Sequence, residues 1–153
     1  SSVDDITTLF RAQHPLADQS RQWMIAANDW LAACFSFEDA LPESGEIVAW
    51  HASTVCMKIG RAVGEFQRHG PHPLQSDAYG SAKVASLCLG KVLDVLTMWC
   101  ATHQLDRQAL RLLDGACQLL DAIEVEFPGH LGFERPGFDT GALALPFSKG
   151  PRI

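Results

Sequence analysis

The 153-residue chain contains no cysteine pair at short spacing. Its five cysteines, Cys34, Cys56, Cys88, Cys100 and Cys117, are odd in number and widely spread. Neither a disulfide framework nor a zinc ribbon is therefore expected. Each sits among small or apolar neighbours, where a thiol packs as a small hydrophobe, and a reducing, cytoplasmic setting is the expected one. No uninterrupted apolar run reaches the roughly 18–20 residues of a membrane span. The opening Ser1-Ser2-Val3-Asp4-Asp5 has no basic n-region and no apolar h-region, so no secretory signal is expected in these residues. Basic residues are also scarce. Twelve Lys and Arg stand against 18 Asp and Glu, a net charge of −6, which argues against a general nucleic-acid binder and a polybasic membrane anchor.

The common catalytic signatures are missing as well. There is no P-loop, no dinucleotide-binding glycine motif, no G-x-S-x-G elbow and no H-E-x-x-H. A di-iron bundle needs Glu-x-x-His on two helices, and the chain has none. Asp94, Asp114, Asp121, Glu124 and Glu126 are dispersed rather than gathered on inward faces, unlike the clustered carboxylates that hold magnesium. Arg61 precedes His69 by eight residues, too far for the compact Arg–His pair of an RNA-cleaving helical enzyme. No catalytic residue, metal set or cofactor is expected from these residues.

What remains is strongly patterned. Hydrophobic residues make up 47% of the chain, enough for a single core. Breaks at His14-Pro15, Leu41–Gly45, Gly70–Pro73 and Phe127–Gly129 separate segments too long for strands. A short first segment places Val3, Ile6, Leu9 and Phe10 on one face. The next, about 18–39, repeats Trp23, Ala27, Trp30, Cys34 and Phe37. The third, about 45–69, carries Val48, Ala52, Val55, Ile59, Ala62 and Phe66. The fourth, about 76–103, carries Tyr79, Ala82, Ser86, Leu89, Leu93, Leu96, Cys100 and His103. The fifth, about 106–126, carries Ala109, Leu113, Ala116, Leu120 and Ile123. Alternating steps of three and four form the seam of helices crossing near 20°. Short connections favour antiparallel neighbours. The spacing thus predicts an all-α, up-and-down four-helix bundle over residues 1–127, preceded by a short N-terminal helix. Asp106 is the expected N-cap of the last helix, with Leu105 stapled onto Leu110.

The fourth segment has a second apolar seam, Ala85, Cys88, Val92, Val95 and Trp99, and must be covered on more than one side. Residues 128–153 lose the helical period and hold five of the twelve glycines and four of the eight prolines. They read as an extended C-terminal arm, with Phe133, Phe138 and Phe147 docking on the bundle or on a neighbouring subunit.

Several residue groups invite a functional reading. Lys58, Arg61 and Arg68 form a basic stripe able to receive an anion or a partner's carboxylates, although Glu65 partly neutralises it. Trp23, Trp30, Trp50 and Trp99 could line a ligand pocket or simply fill a core rich in small residues. Cys100 and His103, with His51 and Cys56, have soft-metal chemistry, but their place on the apolar seam favours packing. His69 and His72 are two ligands only. The reading these features favour is a non-enzymatic protein acting through protein–protein contacts, as adaptor, inhibitor or regulatory subunit, and forming a homodimer. The alternative is a bundle that binds a small molecule in a tryptophan-lined cavity.

Overall fold

A computed structural model describes residues 14–35, 42–69 and 75–134. Four long helices occupy these stretches: α1 (Pro15–Cys34), α2 (Glu43–His69), α3 (Gln75–Thr102) and α4 (Arg107–Glu126). A short 3-10 turn follows at His130–Gly132. Each helix packs on the next, and α4 returns to α1, closing the ring of an up-and-down four-helix bundle. No strand occurs among the described residues. The short helix expected before residue 14, and residues 135–153 of the arm, lie outside the described residues.

Local chemistry explains the helix ends. His14 accepts the Leu16 amide through Nδ1, Pro15 takes the first helical position, and Asp18 lies in the first turn of α1. Asp106 caps α4, accepting the Ala109 amide at 3.0 Å. The expected staple beside it is absent: Leu105 is 93% exposed and leaves Leu110 exposed too. The Asp106 side chain is held instead from the opposite side, by indoles described below. Helix α2 starts at Glu43, directly after Pro42, so Ser44 and Gly45 belong to its first turn rather than to a loop.

The core follows the seams closely. Trp23, Ala27 and Trp30 of α1, Val48, Ala52, Val55, Ile59 and Ala62 of α2, and Ala82, Leu89 and Leu96 of α3 are buried. In α4 the buried row is Ala109, Leu112, Ala116, Leu119 and Ile123, with Leu113 and Leu120 half-buried. Both rows share Ala109, Ala116 and Ile123, so the helix is rotated slightly from the expected seam. Gly115 lets α4 approach Trp23 closely, because a Cβ there would stand 2.9 Å from the indole Cδ1.

Helix α3 is the most enclosed. It packs against α2, α4 and the 3-10 turn, which covers the extra apolar surface its sequence carries. Residues Asp77–Thr102 are also long and apolar enough to cross a membrane by length and composition, with a window of mean hydropathy 1.6. In the bundle, this same stretch supplies the central packing helix.

Candidate functional site

Three groups of chemically conspicuous side chains were brought together by the fold. The first closes one end of the bundle. Trp30 at the end of α1 and Trp99 at the end of α3 each donate Nε1–H to Asp106 Oδ2 at 2.9 Å. The Cys34 thiol approaches the same oxygen at 3.8 Å. Burial alone would raise the Asp106 pKa. The hydrogen bonds from Trp30, the Ala109 amide, Trp99 and Cys34 outweigh it and hold the carboxyl below its usual range. Trp30, Phe35 and Trp99 meet edge to face at centroid distances of 5.3–5.8 Å. His103 stacks on Trp99 at 3.8 Å. Asp106 therefore ties three helices together as an electrostatic anchor.

The second group lies toward the other end. His130 is buried; its Nε2 stands 2.6 Å from Ser86 Oγ, and its Nδ1 lies 3.0 Å from both the Phe127 carbonyl and Glu124 Oε2. Both neighbours of Nδ1 only accept, so the neutral ring carries its proton there and accepts the Ser86 hydroxyl at Nε2. Glu124 also accepts the amide of Gly129, whose φ of 77° turns the chain back. The Ser–His–Glu order resembles that of a hydrolase relay. Its setting does not: Ser86 is buried in mid-helix, where backbone N–H groups are engaged in the helical ladder and none forms an oxyanion hole. The trio works as a clasp, joined by Lys83 Nζ donating to the Phe133 carbonyl at 2.7 Å.

This clasp changes the reading of the first part of the arm. Residues 128–134 are not extended; they fold over α3. Phe133 is half-buried and meets Tyr79 of its own chain at 6.5 Å. Phe138 and Phe147 lie outside the described residues.

The third group is an open face around α2. A cleft of about 380 Å³ runs between α2 and α3, lined by Lys58, Arg61, Glu65, Asp77, Gly80, Ser81 and Val84. A groove of about 600 Å³ runs between α1 and α2, past Met24, Met57 and Gly60, and shares Arg61 and Glu65 with the first. A Cβ at Gly60 would meet nothing within 4 Å, so the groove is unfilled there. Met57 is 62% exposed. Arg21 pairs with Asp18 inside the groove, whereas Lys58 and Arg61 make no ion pair among the described residues. Of the basic stripe, Lys58 and Arg61 line one cleft together with Glu65 and Asp77; the Arg68 side chain lies outside the described residues.

Among the described residues the four tryptophans do not come together in one place. Trp23 donates to the Leu112 carbonyl at 3.0 Å, Trp30 and Trp99 serve Asp106, and Trp50 is half exposed. Of the three clefts described, only a shallow one of about 160 Å³ touches a tryptophan, Trp23. The soft-metal grouping also disperses: among the described residues no three His, Cys, Asp or Glu side chains are placed to hold a metal ion. His51 is buried near Lys91, and its pKa falls to about 4 through burial first and the lysine second. The His69 side chain and residue 72 lie outside the described residues. Sequence reasoning missed the clasp and the role of Gly60. A buried Ser–His contact 44 residues apart has no local signature.

No family model matches the chain, and no curated protein or solved structure matches it.

Proposed function

We propose that this protein acts by binding other polypeptide chains, without catalysing a reaction, and that the open face around α2 is where it does so. The observation that carries this reading is the groove between α1 and α2. It is unfilled at Gly60, lined by the flexible thioethers of Met24 and Met57, and edged by charged side chains of both signs, Arg61 and Glu65 among them. Methionine surfaces adapt to a partner's side chains, and a helical ridge fits a groove between two helices. The bundle's other polar groups support the reading by contrast, since Asp106, Ser86 and His130 are occupied in holding the fold. The five free thiols support a reducing, cytoplasmic setting.

A photo-crosslinking residue in place of Met57 tests the reading in cells that make the protein. The expected result is a discrete polypeptide adduct that Arg61→Glu abolishes, with none from the same probe at the exposed Thr97. Adducts equal at both positions, or none at Met57, would contradict it.

A further inference from the structure

The cleft between α2 and α3 holds charges of both signs, and the two helices keep the signs apart. Lys58, Arg61 and Glu65 follow one another at steps of three and four on α2, the spacing of one helix face. Helix α3 returns antiparallel after a short connection, so Asp77, near its start, stands at the Glu65 end and Val84 at the Lys58 end. One end of the cleft is therefore framed by Glu65 and Asp77, the other by Lys58, with Arg61 between. Positive charge continues past the Lys58 end. Burial raises the pKa of Cys88, one turn beyond Val84, to about 11, and Lys91 and Lys58 each act against that rise.

Small residues line the middle of the cleft. Gly80 and Ser81 leave room for a ligand's main chain to come close. Ser81 is only 7% exposed, and its hydroxyl makes no hydrogen bond among the described residues. A hydroxyl both donates and accepts, which suits a peptide unit that does the same. The seven residues from Lys58 to Glu65 rise about 10 Å along the helix. A single amino acid carries both its charges within one residue and cannot reach both ends. An extended chain advances about 3.3–3.6 Å per residue, so two or three residues match the span. The volume of about 380 Å³ falls in the range of small-ligand sites.

We infer that this cleft is a binding site for a short peptide with free ends, two or three residues long. Its carboxylate meets Lys58 and Arg61, its ammonium meets Glu65 and Asp77, and a central amide meets Ser81. Matched numbers of cations and carboxylates suit neither a simple anion nor a simple cation, and they are what a zwitterion requires. The separation of the signs also fixes direction, because a reversed peptide would set like charges against each other at both ends. This site does not depend on the Met57 groove being occupied, although the two share Arg61 and Glu65.

Amide NMR spectra of the full chain, titrated with trialanine, test this directly. The expected result is a saturable shift at the Gly80 and Ser81 amides. N-acetyl-trialanine and trialanine amide each lack one charged end and should bind about fivefold more weakly. Lys58→Gln should weaken trialanine by a similar factor without weakening the amidated peptide, which has no carboxylate to lose. Asp77→Asn should weaken trialanine without weakening the acetylated peptide, which has no ammonium. Each variant thus keeps one peptide at its wild-type affinity, which shows that it is folded. No saturable shift at Gly80 and Ser81, equal binding of the three peptides, or losses that ignore these pairings would overturn the inference.

Discussion

The Asp106 end of the bundle and the α2 face contain similar materials and use them differently. At the Asp106 end, two indole N–H groups, a backbone amide and a thiol converge on one carboxylate, and His103 lies flat on Trp99. On the α2 face, Lys58 and Arg61 flank clefts with no ion pair of their own among the described residues, and Gly60 leaves room for more atoms. Residues that look chemically distinctive in sequence are spent on joining helices. Unremarkable residues, methionine, glycine and lysine, line the open clefts. Under the docking reading proposed above, the binding face hides behind plain composition, while conspicuous residues do structural work.

The largest expected effect separates the two regions outright. Trp30→Ala empties a fully buried site and removes one bond to Asp106, so it should lower stability by about 3–5 kcal/mol in urea unfolding. Met57→Ala should stay within about 0.5 kcal/mol, as an exposed side chain does. Equal losses at the two sites would erase the distinction.

A second effect is set by pH. His51 has a folded pKa of about 4 against an ordinary 6.5, so the unfolded chain binds the proton more readily between those values. Stability is complete above about pH 6.5 and declines as pH falls toward 4, by on the order of 3 kcal/mol. Thermal unfolding of His51→Gln across that window should show a flatter pH profile.

Two glycines sharpen the comparison further. Gly115→Ala drives a methyl group against Trp23 and should cost about 1–3 kcal/mol. Gly60→Ala enters open space within a helix and should stabilise the monomer by up to about 1 kcal/mol. Denaturant midpoints moving in opposite directions would verify that α4 is tightly fitted and the groove is not.

The smallest effect lies in acid. Because the Asp106 pKa is lowered in the fold, its stabilisation is present above the ordinary value of 3.8 and is lost as pH falls through the folded value. Asp106→Asn should lower stability at neutral pH and flatten that part of the acid-unfolding curve, because the stabilisation it removes is the one wild type loses in acid.

Much of the architecture was legible because helical seams are local. The three–four spacing of Val48, Ala52, Val55, Ile59 and Ala62 marks one buried stripe, and all five are buried. Asp106 was recognisable as a cap from its place before a periodic segment. The Leu105 staple was not borne out: Leu105 is exposed, and Asp106 is met by Trp99 from the preceding helix and by Trp30, 76 residues away in sequence. The seam of α4 was one step off at Leu112 and Leu119, since leucine pairs occupy both candidate rows and only tertiary packing chooses between them. The clasp was hidden for a similar reason: glycine and proline around His130 give a loop composition, yet Ser86 and Glu124 fix that loop in three dimensions. Of the candidate site, the cations Lys58 and Arg61 were legible from their spacing. The groove beside them was not, because it depends on how α1 and α2 diverge around Gly60.

Methionine oxidation offers the most direct comparison of the two regions in one sample. Met57 on the α2 face and Met98 near the Asp106 end are 62% and 74% exposed, so in dilute purified protein both should react readily with a mild oxidant. In cells that make the protein, oxidation at Met57 should slow several-fold while Met98 remains as reactive as before. Equal reactivity at the two sites, or protection at Met98 alone, would contradict a binding face on α2.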